Sequence, residues 1–198
     1  MSSPRQISVT AFQGRKQFAS GELKAVAIQV KRLLERDPDK TVLIFGDQDG
    51  RLIDLDLRGS NAEMLARLPS PAAPEIATEV ATQRGPGRPK LGVVAREVTL
   101  LPRHWEWLAA QPGGASVALR KLVEEASRAN RNADCRRQAQ EAAYRFMSAM
   151  AGDEAGFEDA SRALFAADRQ AFVQAQASWP QDIRNHVQAL AAPVFAVI

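Results

Sequence analysis

Residues 21–57 read GELKAVAIQVKRLLERDPDKTVLIFGDQDGRLIDLDL, and this stretch decides the fold class. Leu23, Val26, Ala27, Val30, Leu33 and Leu34 recur at helical spacing up to a stop near Asp37-Pro38, which predicts an amphipathic helix. Two apolar runs follow, Thr41–Phe45 and Arg51–Leu57, flanking Gly46-Asp47-Gln48-Asp49-Gly50. The Asp-Gly pair supplies the positive φ of a tight turn, so the two runs read as a hairpin. Upstream, Ile7–Thr10 and Arg15–Phe18 alternate with period two around the Gln13-Gly14 turn signal and read as a first hairpin. The expectation is a small ββαββ domain over residues 1–67 of an α+β protein.

Composition changes after that. From Leu68 to Gly92 prolines 69, 71, 74, 86 and 89 stand among Ala, Thr, Glu and Gly, which reads as a semi-extended linker because proline fixes φ and removes amide donors. A strand pattern, Val93–Leu101, ends at Pro102, and two helical patterns, 103–111 and about 115–129, are split by Pro112-Gly113-Gly114. Residues 93–131 thus form a strand-helix-helix segment. Beyond it, residues 132–198 read as a helical unit with apolar stripes at Ala139, Ala143, Phe146, Met147 and Met150, at Phe157, Ala160 and Leu164, at Phe172, and at Ile183, Val187 and Leu190.

The 198 residues carry 26 Lys+Arg against 23 Asp+Glu, and the small excess is unevenly placed. Residues 84–137 hold 11 basic and 5 acidic groups, whereas 138–198 hold 4 and 7. A local positive block is the electrostatic footprint of a phosphate-binding surface, and equally of a solvated basic face. One cysteine, Cys135, excludes an intramolecular disulfide, and with His104 and His186 it makes no metal-ligand cluster, so no cofactor is expected. The N-terminus has no signal-peptide pattern and no run approaches a membrane span of roughly 18 apolar residues, which points to a cytoplasmic protein with no membrane partner.

Within the basic block, Arg84-Gly85-Pro86-Gly87-Arg88-Pro89-Lys90 resembles an AT-hook. In such a motif glycine permits close approach to the minor groove and the arginine inserts where A·T tracts deepen the negative potential. Gly87, Arg88, Pro89 and Lys90 match; Pro86 stands where the first core arginine belongs, with Arg84 beside it. The strand-helix-helix segment is similar to a ribbon-helix-helix module, which implies paired strands from two chains in the major groove and a helix N-terminus at a phosphate. Arg96 and Thr99 are then the strand's DNA candidates, Arg120 and Lys121 the phosphate contacts, and Ser116 a candidate cap. Val98, Leu100, Trp105 and Leu108 are the candidate dimer interface. Glu97 departs from this reading, since a carboxylate in the groove repels phosphate unless it accepts from a cytosine amine. A helix-turn-helix over 103–129 is the structural alternative.

Enzyme signatures are weak. The loop from Asp47 superficially resembles a calcium site, but its glycine falls at the fourth position and Arg58 replaces the closing glutamate. No nucleophile elbow, Walker-type or dinucleotide glycine pattern follows a strand. His104 and His186 have no motif around them, and Cys135 beside Arg136 and Arg137 reads as an incidental thiol.

The run Gly87–Val94, then Glu97–Leu108, Gln111–Ser116 and Tyr144–Gly152, resembles a bacterial family known as domain of unknown function 2239, over nearly the whole chain. The resemblance implies a bacterial cytoplasmic protein and no particular activity. The expectation is therefore a non-enzymatic, homodimeric DNA-binding protein, regulatory or nucleoid-associated, engaging double-stranded and A·T-rich DNA. The alternatives are a dimeric protein-interaction module that does not bind DNA and an enzyme whose site is assembled across segments.

Overall fold

The computed structural model describes residues 7–69 and 96–196. Arg84, Gly87, Arg88, Pro89 and Lys90 lie outside the described residues, as does the start of the expected strand at 93–95. The chain divides into two compact units, one from residues 1–72 with 132–198 and the other from 73–131.

In the first unit, β1 (Ser8–Gln13), β2 (Lys16–Glu22) and β3 (Val42–Gly46) form an antiparallel sheet in the order β2-β1-β3. Gly14, at φ +57°, makes the β1–β2 turn. Register shifts between Ala11, opposite Ala19, and Phe12, opposite Gln17, so Phe18 is the extra residue of a bulge. Central β1 is buried on both faces. Val9 and Ala11 belong to an apolar cluster with Leu23, Val26 and Val30 of α1 (Leu23–Arg36). Phe12 belongs to a second cluster with Phe45, Phe146, Ile183 and Val187. The period of two thus serves two cores, one on each side of the sheet.

The expected fourth strand does not form. Residues 51–57 make a single bridge, Leu52 to Phe45, and then run unpaired. Ile53, Leu55 and Leu57 still pack on the α1 cluster while Asp54 and Asp56 face outward. Alternation records which side chains are covered, and here that cover needs no ladder. A short helix absent from the sequence reading follows, α2 (Asn61–Arg67). Ser60 opens it with a reciprocal capping box: Ser60 Oγ accepts from the Glu63 amide at 3.3 Å and Glu63 Oε2 accepts from the Ser60 amide at 2.7 Å.

The remaining helices are α3 (Pro102–Ala109), α4 (Ala115–Ala151), α5 (Phe157–Phe165), α6 (Arg169–Ala175) and α7 (Gln181–Ala191). The two helical patterns expected on either side of residue 131 are one helix, because residues 115–151 contain no Gly or Pro to break it. The stripes at Ala139, Ala143, Phe146 and Met147, at Ala160 and Leu164, at Phe172, and at Ile183, Val187 and Leu190 all lie in the second cluster. The acidic loop after α4 is tied down, with Glu154 paired to Arg15 at 2.8 Å and the Ala155 carbonyl accepting from Trp179 Nε1 at 2.9 Å.

Candidate functional site

In the second unit, residues 96–101 carry no β-pairing with any described residue. The alternation there is not matched by a neighbouring strand, and the expected ribbon requires a second copy to supply one. Arg96, Glu97, Val98 and Thr99 are exposed, and Leu100 is half-buried. Pro102 opens α3 at its first position, where the missing N–H costs nothing. Trp105, expected at the dimer interface, and its neighbour Trp107 are 42% and 53% exposed in the single chain. Leu108 is the buried residue of α3, so its own chain covers it and removes it from the expected dimer contact.

The turn into α4 uses Gly113 and Gly114 at φ +85° and +75°. The Gly114 carbonyl accepts from the amides of Val117 and Ala118, both at 3.1 Å, so Gly114 holds the capping position. Ser116 is not the cap. It lies within the first turn, and its carbonyl accepts from Arg120 Nε at 3.0 Å.

Between residues 119 and 131, α4 carries two different exposed faces. Leu122, Val123, Ala126 and Ala129 fall on one side at 3.6-residue period; Arg120, Lys121, Arg128 and Arg131 fall on the other. Glu124 stands within the basic row and pairs with Arg128. Lys121 and Arg131 make no ion pair with a described residue. Cys135 is exposed. Among the described residues no group of three or more His, Cys, Asp or Glu is placed to hold a metal ion, and no helix is long and apolar enough to cross a membrane.

The first unit holds an open pocket of about 440 Å³, lined by both polar and apolar groups, that the sequence reading missed. Ser8 and Thr10 of β1, Asp47 just after β3, and His186 of α7 line it. Ser8 Oγ donates to Asp47 Oδ2 at 2.5 Å and Thr10 Oγ1 donates to Asp47 Oδ1 at 2.7 Å. The Asp47 amide also donates to the Ser8 carbonyl at 3.0 Å, which fixes the carboxylate against the central strand β1. This is not a nucleophile triad, because the hydroxyls donate to the carboxylate and none is bonded to the imidazole. In the sequence Ser8 and Thr10 read as alternate positions of a strand over Ile7–Thr10, and the signal is ambiguous because period two cannot say which distant helix covers a face.

His186 is buried, its ring 4.5 Å from that of Phe146 and 5.4 Å from that of Phe12 between centroids. Its Nε2 has no partner among the described residues. Burial pushes the imidazole below its ordinary value, and Asp47 opposes this in part. The unfolded chain therefore takes up the proton more readily than the folded one. His186 leaves stability unaffected above its ordinary range near 6.5 and removes stability as pH falls through it, by at most about 1.4 kcal/mol per pH unit. Urea unfolding of wild type and His186→Phe between pH 5 and 8, about the range of histidine titration, is expected to show a shallower acid slope in the variant. Identical slopes would place the proton-linked loss elsewhere.

The described fold is a mixed α+β protein with a three-stranded sheet covered on both faces and a helical C-terminal part. The chain belongs to the family of uncharacterized proteins conserved in bacteria, DUF2239, whose family model matches residues 8–191. No curated protein and no solved structure matches it.

Proposed function

We propose that the protein binds double-stranded DNA as a homodimer, in a regulatory or nucleoid-associated role, through the basic segment 84–137. The supporting observation is the pair of exposed faces on α4 between residues 119 and 131. An apolar row of that kind is covered by a second copy, and the cations opposite it then point away from the dimer contact toward phosphates. Arg120 and Lys121 contact the backbone, with Arg96 and Thr99 on the approach to α3. Arg84 and the Gly87-Arg88-Pro89-Lys90 stretch enter an A·T-rich minor groove, where arginine is favoured by the deeper negative potential.

Fluorescence anisotropy with matched A·T-rich and G·C-rich duplexes tests this across roughly 50 to 200 mM salt, where 6–10 phosphate contacts imply an affinity loss of about 10³–10⁵. Binding is expected to be salt-steep and to favour the A·T duplex, with Arg88→Ala losing that preference while retaining the salt dependence. Equal loss on both duplexes would reduce Arg88 to a general charge. Absence of binding at low salt overturns the proposal. The second reading, a protein-interaction module, is favoured by the exposure of Val98, Leu101, Trp105 and Trp107, apolar groups suited to a protein partner. A dimer by sedimentation that ignores both duplexes would establish that reading.

A further inference from the structure

The cavity over β1 has a donor–acceptor character that specifies its ligand. Ser8 and Thr10 each spend their single hydroxyl hydrogen on Asp47, so the oxygens they turn to the cavity are acceptors only. Asp47 contributes one donor-occupied position on each oxygen and keeps its further lone pairs. Among the described residues no Lys or Arg lines the cavity, so the carboxylate charge has no cationic partner among them. His186, buried against Phe12 and Phe146, is held in its neutral form and supplies no balancing charge at neutral pH. Leu190 of α7 gives the cavity an apolar wall beside the acceptors of Ser8, Thr10 and Asp47, and Gln17 and Ser20 line it with groups that both donate and accept.

We propose that this cavity binds a small aliphatic primary amine in its ammonium form, with N–H groups donating to the Asp47 carboxylate and to the oxygens of Ser8 and Thr10. An ammonium carries three donors and no acceptor, which is the complement of the acceptors that Ser8, Thr10 and Asp47 present; Gln17 and Ser20, which also line the cavity, can turn their own acceptor oxygens to it. Its charge neutralises Asp47 through charge-assisted hydrogen bonds, and its carbon chain lies against Leu190. An alcohol of the same length offers one donor and no charge. A carboxylate meets like charge and acceptors facing acceptors. The inference is independent of DNA binding, since every residue it uses lies in the first unit.

The test is an NMR titration of the full chain with n-butylammonium chloride at fixed ionic strength, with n-butanol and sodium butyrate as matched probes. The expected result is saturable shifts at the Ser8, Thr10 and Asp47 amides and at the His186 ring, at least tenfold weaker binding of butanol, and none of butyrate. Asp47→Asn is expected to weaken butylammonium binding at least tenfold, and Thr10→Val, which keeps the side-chain shape, several-fold. If Asp47→Asn fails to fold, Thr10→Val and the three-probe comparison decide. Equal affinity for butanol and butylammonium, no saturable shift at these residues, or full retention of binding in a folded variant overturns the proposal.

Discussion

Phe146→Ala is expected to lower unfolding free energy by about 3–5 kcal/mol, the range for truncating a fully buried aromatic ring. Phe146 is on the C-terminal part of α4 and is fully buried. Its ring centroid lies 5.3 Å from Phe12 of β1, 4.9 Å from Phe45 of β3 and 4.5 Å from His186 of α7. Three segments far apart in sequence therefore meet on one side chain. The cavity left by alanine has walls on a sheet, whose strands are held by ladder hydrogen bonds, and on helices held by their own cores. It cannot collapse cheaply. Because the same ring joins sheet and helices, the variant is also expected to lose both in a single transition. Urea unfolding followed by far-ultraviolet circular dichroism, which reports the helices, and by the amide NMR signals of β1, which report the sheet, checks both points. Tyr144→Ala on the same helix, where the ring is 40% exposed, serves as the comparison and should cost much less. A loss under about 1 kcal/mol, well below that range, or helices that outlast the sheet, would refute the joint core.

That joint core marks where the sequence stopped being readable. The stripe containing Phe146 and Met147 was plain from helical period, as was α1 from Leu23 to Leu34, because an amphipathic helix shows its buried face within about two turns. What such a stripe packs against is a long-range fact. Phe12 and Phe45 belong to strands of the N-terminal part, yet their partners are Phe146 and the helices that follow. Ser8 and Thr10 show the same limit. Their alternation with Val9 is visible, but a polar residue facing solvent and one facing a pocket have the same period. Asp47 sits in a turn that the Asp-Gly pair announces, but its bonds to Ser8 and Thr10 connect residues 39 and 37 positions apart. In the second unit the basic and apolar rows of α4 were legible, being local. The exposure of Trp105 and the burial of Leu108 were not, because both are apolar and only packing distinguishes them.

Gly50→Ala should be about as damaging, with a loss on the order of 4 kcal/mol, in the range that signals a specific mechanism. The tight turn after β3 asks for a positive φ here, and Gly50 has φ +64°. That alone costs an alanine roughly 1–2 kcal/mol. The larger part comes from packing. A Cβ on Gly50 would stand 2.0 Å from the Ala142 carbonyl oxygen and 2.8 Å from its carbonyl carbon, both backbone atoms of α4. A helix backbone cannot turn aside as a side chain does, and the turn is held on both sides. The Gly50 amide donates to the Gly46 carbonyl at 2.9 Å, and Arg145 of α4 donates to the Asp49 carbonyl at 3.0 Å. Gly14→Ala separates the two contributions. Gly14 has φ +57° but open space around an added Cβ, so it carries the conformational cost without the clash. Urea midpoints for the two variants should therefore differ severalfold in their displacement from wild type. Equal displacement would mean that conformation alone governs Gly50, and the close seating of this turn on α4 would have to be abandoned. With the predicted inequality, the glycine's use is defined by α4, almost a hundred residues downstream of the turn that its sequence announces.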